Sequence, residues 1–166
     1  MTSLKKIQTK IQALEEATST VKYWNSTNEK IVFTNGCFDL LHLGHIDYLS
    51  KAKDLGTKLI VGVNSSESVE KLKGPSRPIH SSKTRSTILA AFEFIDLVII
   101  FEDETPLNLI NTLQPKILVK GGDYNLKTIV GADEVINFGG KVEIIPFLSG
   151  HSTSDIVTKI QSFSKS

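Results

Sequence analysis

The chain has a single cysteine, Cys37, which excludes an intrachain disulfide and any metal site built from several thiolates. Net charge is almost absent too. Lys+Arg number 19 against 18 Asp+Glu, a formal +1, which argues against a basic nucleic-acid platform. Long apolar runs are lacking: the longest, Ile95 to Phe101, is interrupted by Asp96 and is far too short to span a bilayer. The opening residues MTSLKKIQTKIQALEE carry charges where a signal peptide needs an apolar stretch. What remains is 166 residues, 40% hydrophobic and 22% charged, the composition of one soluble, cytoplasmic domain of ordinary size.

Leu4, Ile7, Ile11 and Leu14 recur at steps of three and four, the stripe of one amphipathic helix. Asn25 to Asn28 then reads as a loop, so residues 1–28 form a helical extension and 29–166 the main domain. A homodimer is the expected state, with this stripe joining its interface; packing within the chain is the alternative use. From Lys30 short β-branched runs alternate with helical segments. Strands are predicted at Ile31–Thr34, Leu59–Val63, Leu97–Phe101, Ile117–Val119 and Val142–Ile145. Helices are predicted at Gly44–Leu55, Ser65–Lys73, Lys83–Phe92, Thr105–Leu113 and Asp155–Phe163. This alternation implies right-handed βαβ units and an α/β fold, a doubly wound parallel sheet of five strands covered on both faces.

Ligands of such sheets bind beyond the carboxyl ends of the strands, where the winding reverses. The first strand runs into Asn35-Gly36-Cys37-Phe38-Asp39-Leu40-Leu41-His42-Leu43-Gly44-His45. Two histidines three apart at a helix start point their rings the same way. Gly44 between them lets a ligand reach the backbone, and the free N–H groups of the helix start favour phosphate. This pair is suited to hold a triphosphate and to steady charge building on phosphorus. Asp39 offers a third ligand for a metal, but the spacing specifies none; its other uses are to cap the helix or orient a histidine. The fourth strand runs into Lys120-Gly121-Gly122-Asp123 and should lie beside the first. Its glycines permit close approach, and Asp123 suits a ribose or base edge. Ser152-Thr153-Ser154 precedes the last helix, where hydroxyls either cap the helix or bind phosphate oxygens. Cys37 reads as a lining residue, His80 and His151 as surface or loop residues. A P-loop, a Gly-x-Gly-x-x-Gly fingerprint and a nucleophile elbow are all absent from the sequence.

Gly36-x-Phe38-Asp39-x-x-His42-x-Gly44-His45 resembles the signature of the cytidylyltransferase-like nucleotidyltransferases. Three further stretches, Leu72-Lys73-Gly74-x-x-Arg77-Pro78, Phe101 to Pro106 and Leu118 to Tyr124, are similar to those of heptose 1-phosphate adenylyltransferases. These include the C-terminal domain of the bifunctional kinase/adenylyltransferase of bacterial lipopolysaccharide synthesis. The resemblance runs from Lys30 to Ile160, and with no kinase half in these residues a stand-alone form is expected. It implies transfer of AMP from ATP, with Mg2+, to D-glycero-β-D-manno-heptose 1-phosphate, giving ADP-heptose and pyrophosphate. Glycerol 3-phosphate or another phosphate is the alternative acceptor, and a non-catalytic nucleotide-binding module the alternative role. The resemblance makes His42, His45 and Lys73 catalytic, with Lys71 as the substitute if the loop alignment slips. Nucleotide contacts are implied at Gly36, Cys37, Phe38, Gly44, Lys120, Gly121, Gly122, Asp123, Ser152, Thr153 and Ser154, and sugar-phosphate contacts at Asp39 and Arg85. Several relatives carry an arginine where this chain has Phe147, so another cation must meet the pyrophosphate.

Overall fold

The computed structural model describes residues 1–122 and 126–163. Five strands, β1 (Ile31–Gly36), β2 (Lys58–Asn64), β3 (Leu97–Phe101), β4 (Ile117–Gly121) and β5 (Lys141–Ile145), form one sheet in the order β3-β2-β1-β4-β5. Every pairing is parallel. The chain winds outward from β1 through β2 to β3, then crosses back to start β4 on the other side of β1. The reversal therefore falls between β1 and β4, as the sequence predicts.

The strands are apolar on both sides because both sides are covered. Ile31, Phe33, Ile60, Ile99 and Leu118 face one cluster with Ala17, Val21, Leu109 and Val135. Val32, Val61, Val63, Val98 and Val119 face the other with Leu49, Ala52 and Leu89. The first layer comprises α2 (Leu14–Ser26), α6 (Leu107–Leu113) and α7 (Ala132–Asn137); the second is built on α3 (Leu43–Asp54) and α5 (Ser82–Ala90). The chain is completed by α1 (Ser3–Gln8), α4 (Ser66–Lys73), a short 3-10 turn at Leu126–Thr128 and α8 (Thr153–Phe163).

The N-terminal stripe does not form one helix. The chain leaves α1 after Gln8, and Ile11 bridges in parallel to Val98. The Val98 N–H donates to Lys10 O at 2.8 Å and the Gln12 N–H to Val98 O at 3.0 Å. β3 is the sheet edge, and its unpaired backbone groups gain more from this segment than a few more helical residues would. Ile7, Ile11 and Leu14 pack on the chain's own core, whereas Leu4 stays exposed. The stripe proposed for an interface is thus largely used within the chain. Asn25 and Ser26 belong to α2 rather than to a loop. Pro106 is the N-cap of α6, one place later than expected for a cap at Thr105. The helix α7 went unread because it has six residues and starts from the left-handed Gly131 (φ 87°); its signal was the spacing of Ile129, Ala132 and Val135.

Candidate active site

At the carboxyl ends of β1 and β4 lies a cleft in two adjoining lobes. One, of about 350 Å³, is lined by residues 35–39 together with His45, Lys73, Lys120 and Gly121. The other, of about 340 Å³, is lined by His42, Gly44, His151 and Ser152. Both lobes share His45, Tyr48, Phe147 and Thr153. The first is cationic and rich in backbone; the second is walled mostly by rings.

The histidine pair sits where β1 hands over to α3. His42 is the extended N-cap residue (φ −143°) and His45 lies in the first turn. Their ring centroids are 3.9 Å apart. The His42 backbone N–H donates to His45 Nδ1 at 3.4 Å; an accepting Nδ1 leaves the proton of the neutral ring on Nε2. Burial, then the neighbouring His42 and Lys73, hold the His45 pKa down to about 4. Burial and His151 also lower that of His42, with Asp155 opposing. Both imidazoles are therefore neutral N–H donors at neutral pH, poised to gain a proton once an anion arrives. His42 Nδ1 is buried without a partner.

Two lysines complete the cationic lobe. Lys73, at the last turn of α4, lines it, whereas Lys71 lines a separate hollow beside Glu102 and Glu104. The choice between them falls on Lys73. Lys120 Nζ donates to Asn35 Oδ1 across the β1–β4 junction. Burial lowers its pKa to about 8, since a desolvated ammonium disfavours its charge. At Gly121 a Cβ would come within 2.5 Å of the Phe147 ring, and at Gly122 within 2.8 Å. The paired glycines thus make room for the Phe147 ring against the end of β4. Asp123 lies outside the described residues.

Two expected substrate residues do something else. Arg85 is fully buried. Its Nη1 donates to Cys37 O at 2.6 Å and its Nε to His80 O at 3.0 Å, so it braces the loop from below instead of facing the cleft. Asp39 borders the cleft, but its carboxylate accepts from Arg77 Nη1 at 2.7 Å, from the Ile79 N–H at 2.8 Å and from the His80 N–H at 3.0 Å. Burial alone would raise its pKa, yet the His80 and Ile79 N–H groups and Arg77 outweigh it and the pKa falls. Asp39 neither caps α3 nor bonds to a histidine ring; it ties the 77–80 segment to the β1 loop. Cys37 borders the cleft as a neutral thiol, its pKa raised by burial against the pull of Lys73 and Arg85.

In the Ser152-Thr153-Ser154 turn, Ser152 is a cap: its Oγ accepts the Asp155 N–H at 3.0 Å. Ser152 and Thr153 also line the cleft, while Ser154 is exposed and borders neither lobe. Tyr48 and His151 are among the cleft residues that went unread as such. Tyr48 is buried beneath both lobes, its hydroxyl 2.6 Å from Thr34 Oγ1 and donating to Val119 O at 3.2 Å; its place on the α3 face toward β4 was the available signal. His151 stands 6.5 Å from His42, ring to ring, and no local pattern announces that meeting.

A cytidylyltransferase-like family model matches residues 33–159, more than half of the chain. The chain belongs to this family. Among curated members it is 49% identical over 152 residues to the bifunctional protein HldE of Geotalea uraniireducens, and 55% identical over 152 residues to that of Campylobacter jejuni serotype O:2. Each alignment covers 92% of this chain but 31% and 32% of the relative, so the chain spans about a third of their length. Among solved structures, the lipopolysaccharide core biosynthesis protein of Thermoplasma volcanium superposes with a TM-score of 0.57 at 25% identity, over 72% of this chain and 97% of that one. The pantoate-β-alanine ligase of Francisella tularensis, complexed with beta-gamma ATP and β-alanine, shares the fold, with a TM-score of 0.60 at 18% identity over 91% of this chain and 76% of its own. The cytidylyltransferase-like signature at residues 36–45 is thus the stretch that frames the β1 side of the cleft.

Proposed function

We propose that this chain transfers AMP from ATP to D-glycero-β-D-manno-heptose 1-phosphate, releasing pyrophosphate and forming ADP-heptose for lipopolysaccharide core synthesis. The observation that carries the reading is the convergence of His42, His45, Lys73 and Lys120 on one cleft at the β1–β4 reversal. The similarity to bifunctional HldE proteins and to a lipopolysaccharide core biosynthesis protein supports this acceptor over other phosphates.

The acceptor's phosphate oxygen is already anionic, so attack on the α-phosphorus needs neither a nucleophilic side chain nor a strong base. Alignment and charge stabilisation remain. His45 Nε2–H donates to the phosphate undergoing substitution, and its pKa rises as negative charge accumulates there. His42 assists from the adjacent ring. Lys73 and Lys120 hold phosphate oxygens from opposite walls, and Ser152 and Thr153 present hydroxyls at the α8 start. A neutral Cys37 plays no covalent part. Members of this family use a divalent ion with the nucleotide. Among the described residues no group of three or more His, Cys, Asp or Glu is placed to hold a metal, and the Asp39 carboxylate is taken by Arg77 and two N–H groups. On this reading Mg2+ enters with the ATP substrate, held mainly by its phosphates.

Pyrophosphate release from ATP or CTP, measured against a panel of sugar 1-phosphates and glycerol 3-phosphate, tests the proposal. The expected result is turnover with ATP and the heptose 1-phosphate. Robust use of CTP with glycerol 3-phosphate would replace the acceptor. Nucleotide binding with no pyrophosphate from any acceptor would make the chain a binding module.

A further inference from the structure

The β1–β4 pairing sets Val32 beside Ile117 and Phe33 beside Leu118. Two residues further on, the same register brings Asn35 abreast of Lys120, 85 positions later in the chain. Side chains two apart on a strand share a face. The apolar row that contains Ile31, Phe33 and Leu118 therefore ends, at the mouth of the cleft, in a polar pair. On the other flank of β1, Asn35 is level with Gly62 of β2. A Cβ added at Gly62 would lie 3.2 Å from the Asn35 Cβ, so a side chain there would crowd the amide.

An ammonium has only donors, so the amide oxygen faces Lys120. Among the described residues no other side chain bonds to the Lys120 Nζ, and the Asn35 NH2 has no partner. The neighbour of Lys120 on β5 is Ile144, which carries no charge. Cys37, Asp39, His45, Tyr48 and Lys73 line the same lobe, but the Asp39 carboxylate is held by Arg77 and two N–H groups. Burial alone displaces the Lys120 pKa. The cation is thus held by a neutral carbonyl, with no carboxylate bonded to it.

We propose that Asn35 is a positioning residue for this reaction: its side-chain carbonyl aims the Lys120 ammonium at the anionic substrates without neutralising it. This rests on the nucleotide reading above and adds to it the group that sets the state of one phosphate-binding cation. A carboxylate at position 35 would cancel the charge that phosphate needs and would itself repel phosphate. An apolar side chain would leave the half-buried ammonium without an acceptor. An amide orients the cation and keeps its charge available.

The test compares the unaltered protein with Asn35→Asp and Asn35→Leu by two readouts. One is the titration of Lys120, followed by NMR at its Cε with no ligand present; the other is ATP affinity against pH. The unaltered Lys120 should titrate near 8. The near-isosteric Asn35→Asp should raise that midpoint by about one unit or more, as an adjacent opposite charge does, and Asn35→Leu should lower it by about one unit. The alkaline loss of ATP affinity should move in the same two directions. At neutral pH Asn35→Asp should nonetheless bind ATP about tenfold more weakly, because its Lys120 charge is already paired. On a Lys120→Met background, Asn35→Leu should change ATP affinity by less than about twofold, within the range of independent sites. Midpoints that stay together in all three proteins would overturn the proposal. A loss from Asn35→Leu that persists in full on Lys120→Met would make the amide a direct substrate contact and overturn it too. Displaced Lys120 titrations in a protein that binds no ATP would instead remove the nucleotide reading and leave the coupling of the two residues standing.

Discussion

Two sets of polar groups lie within a few residues of each other around the β1 loop, and they are opposites. Beneath and beside the loop, Arg85, Asp39 and Arg77 are engaged by the protein itself, through the carbonyls of Cys37 and His80, two backbone N–H groups and one ion pair, although the Arg85 Nη2 is buried without a partner. Facing the cleft, His45, Lys73 and Lys120 line open space, and two of these three, His45 and Lys120, are held away from their charged form by burial. The lesson is that charge near a site does not mark function. A buried charge tied to backbone or to an ion pair holds a shape; a cation that faces a cleft awaits an anion.

Substitution in each set separates them. His45→Ala should lower kcat by about 10²- to 10³-fold, the usual loss for a donor aimed at developing charge, with a much smaller change in ATP binding and an unaltered unfolding midpoint. Steady-state kinetics and nucleotide titration check this, and unchanged turnover would remove the imidazole from the chemistry. Arg85→Leu should behave in the reverse manner, costing about 3 kcal/mol of stability as two carbonyls lose a charged donor; urea unfolding measures it. A stable Arg85→Leu protein with raised KM for the sugar phosphate would return Arg85 to the substrate site. Lys73→Met should leave stability within about 0.5 kcal/mol, as for an exposed residue, while KM for ATP or the acceptor rises about tenfold, the worth of one charge-assisted hydrogen bond.

The smallest expected effect is a pH dependence. Lys120 has its pKa lowered to about 8, so it is charged below that value and neutral above it. ATP affinity should weaken by about threefold as pH rises past 8, because only the ammonium attracts phosphate, and Lys120→Met should flatten that limb. Asp39 gives the complementary test on stability. Its pKa is lowered in the folded chain, so its contribution is present at neutral pH, where it is ionised in both states. That contribution is lost as pH falls below the ordinary carboxylate value through the depressed folded one. Asp39→Asn should remove this acid-sensitive part of the stability curve.

The core of the fold was legible because it is written locally. The β-branched runs at Ile31, Leu59, Leu97 and Ile117 and the Gly, Pro and Ser punctuation between them fix strands and helices by period and by turn chemistry. The placing of His42, Gly44 and His45 at a strand-to-helix junction follows from the same local signals. Errors arose where a distant partner decided the outcome. Spacing at Ile7, Ile11 and Leu14 is compatible with a helix, yet the free edge of β3 drew Lys10 to Gln12 into extended pairing.

Sequence by itself determined the alternation of strands and helices, the family, and the presence of two imidazoles beside a helix start, because each depends on residues near one another along the chain. Tertiary structure alone decided that Lys73 and not Lys71 borders the cleft, that Arg85 is a buried brace, and that His151 comes to face His42. Those outcomes depend on burial and on contacts across tens of residues, where packing of the sheet and its layers sets which polar groups find partners inside the protein and which are left facing the cleft.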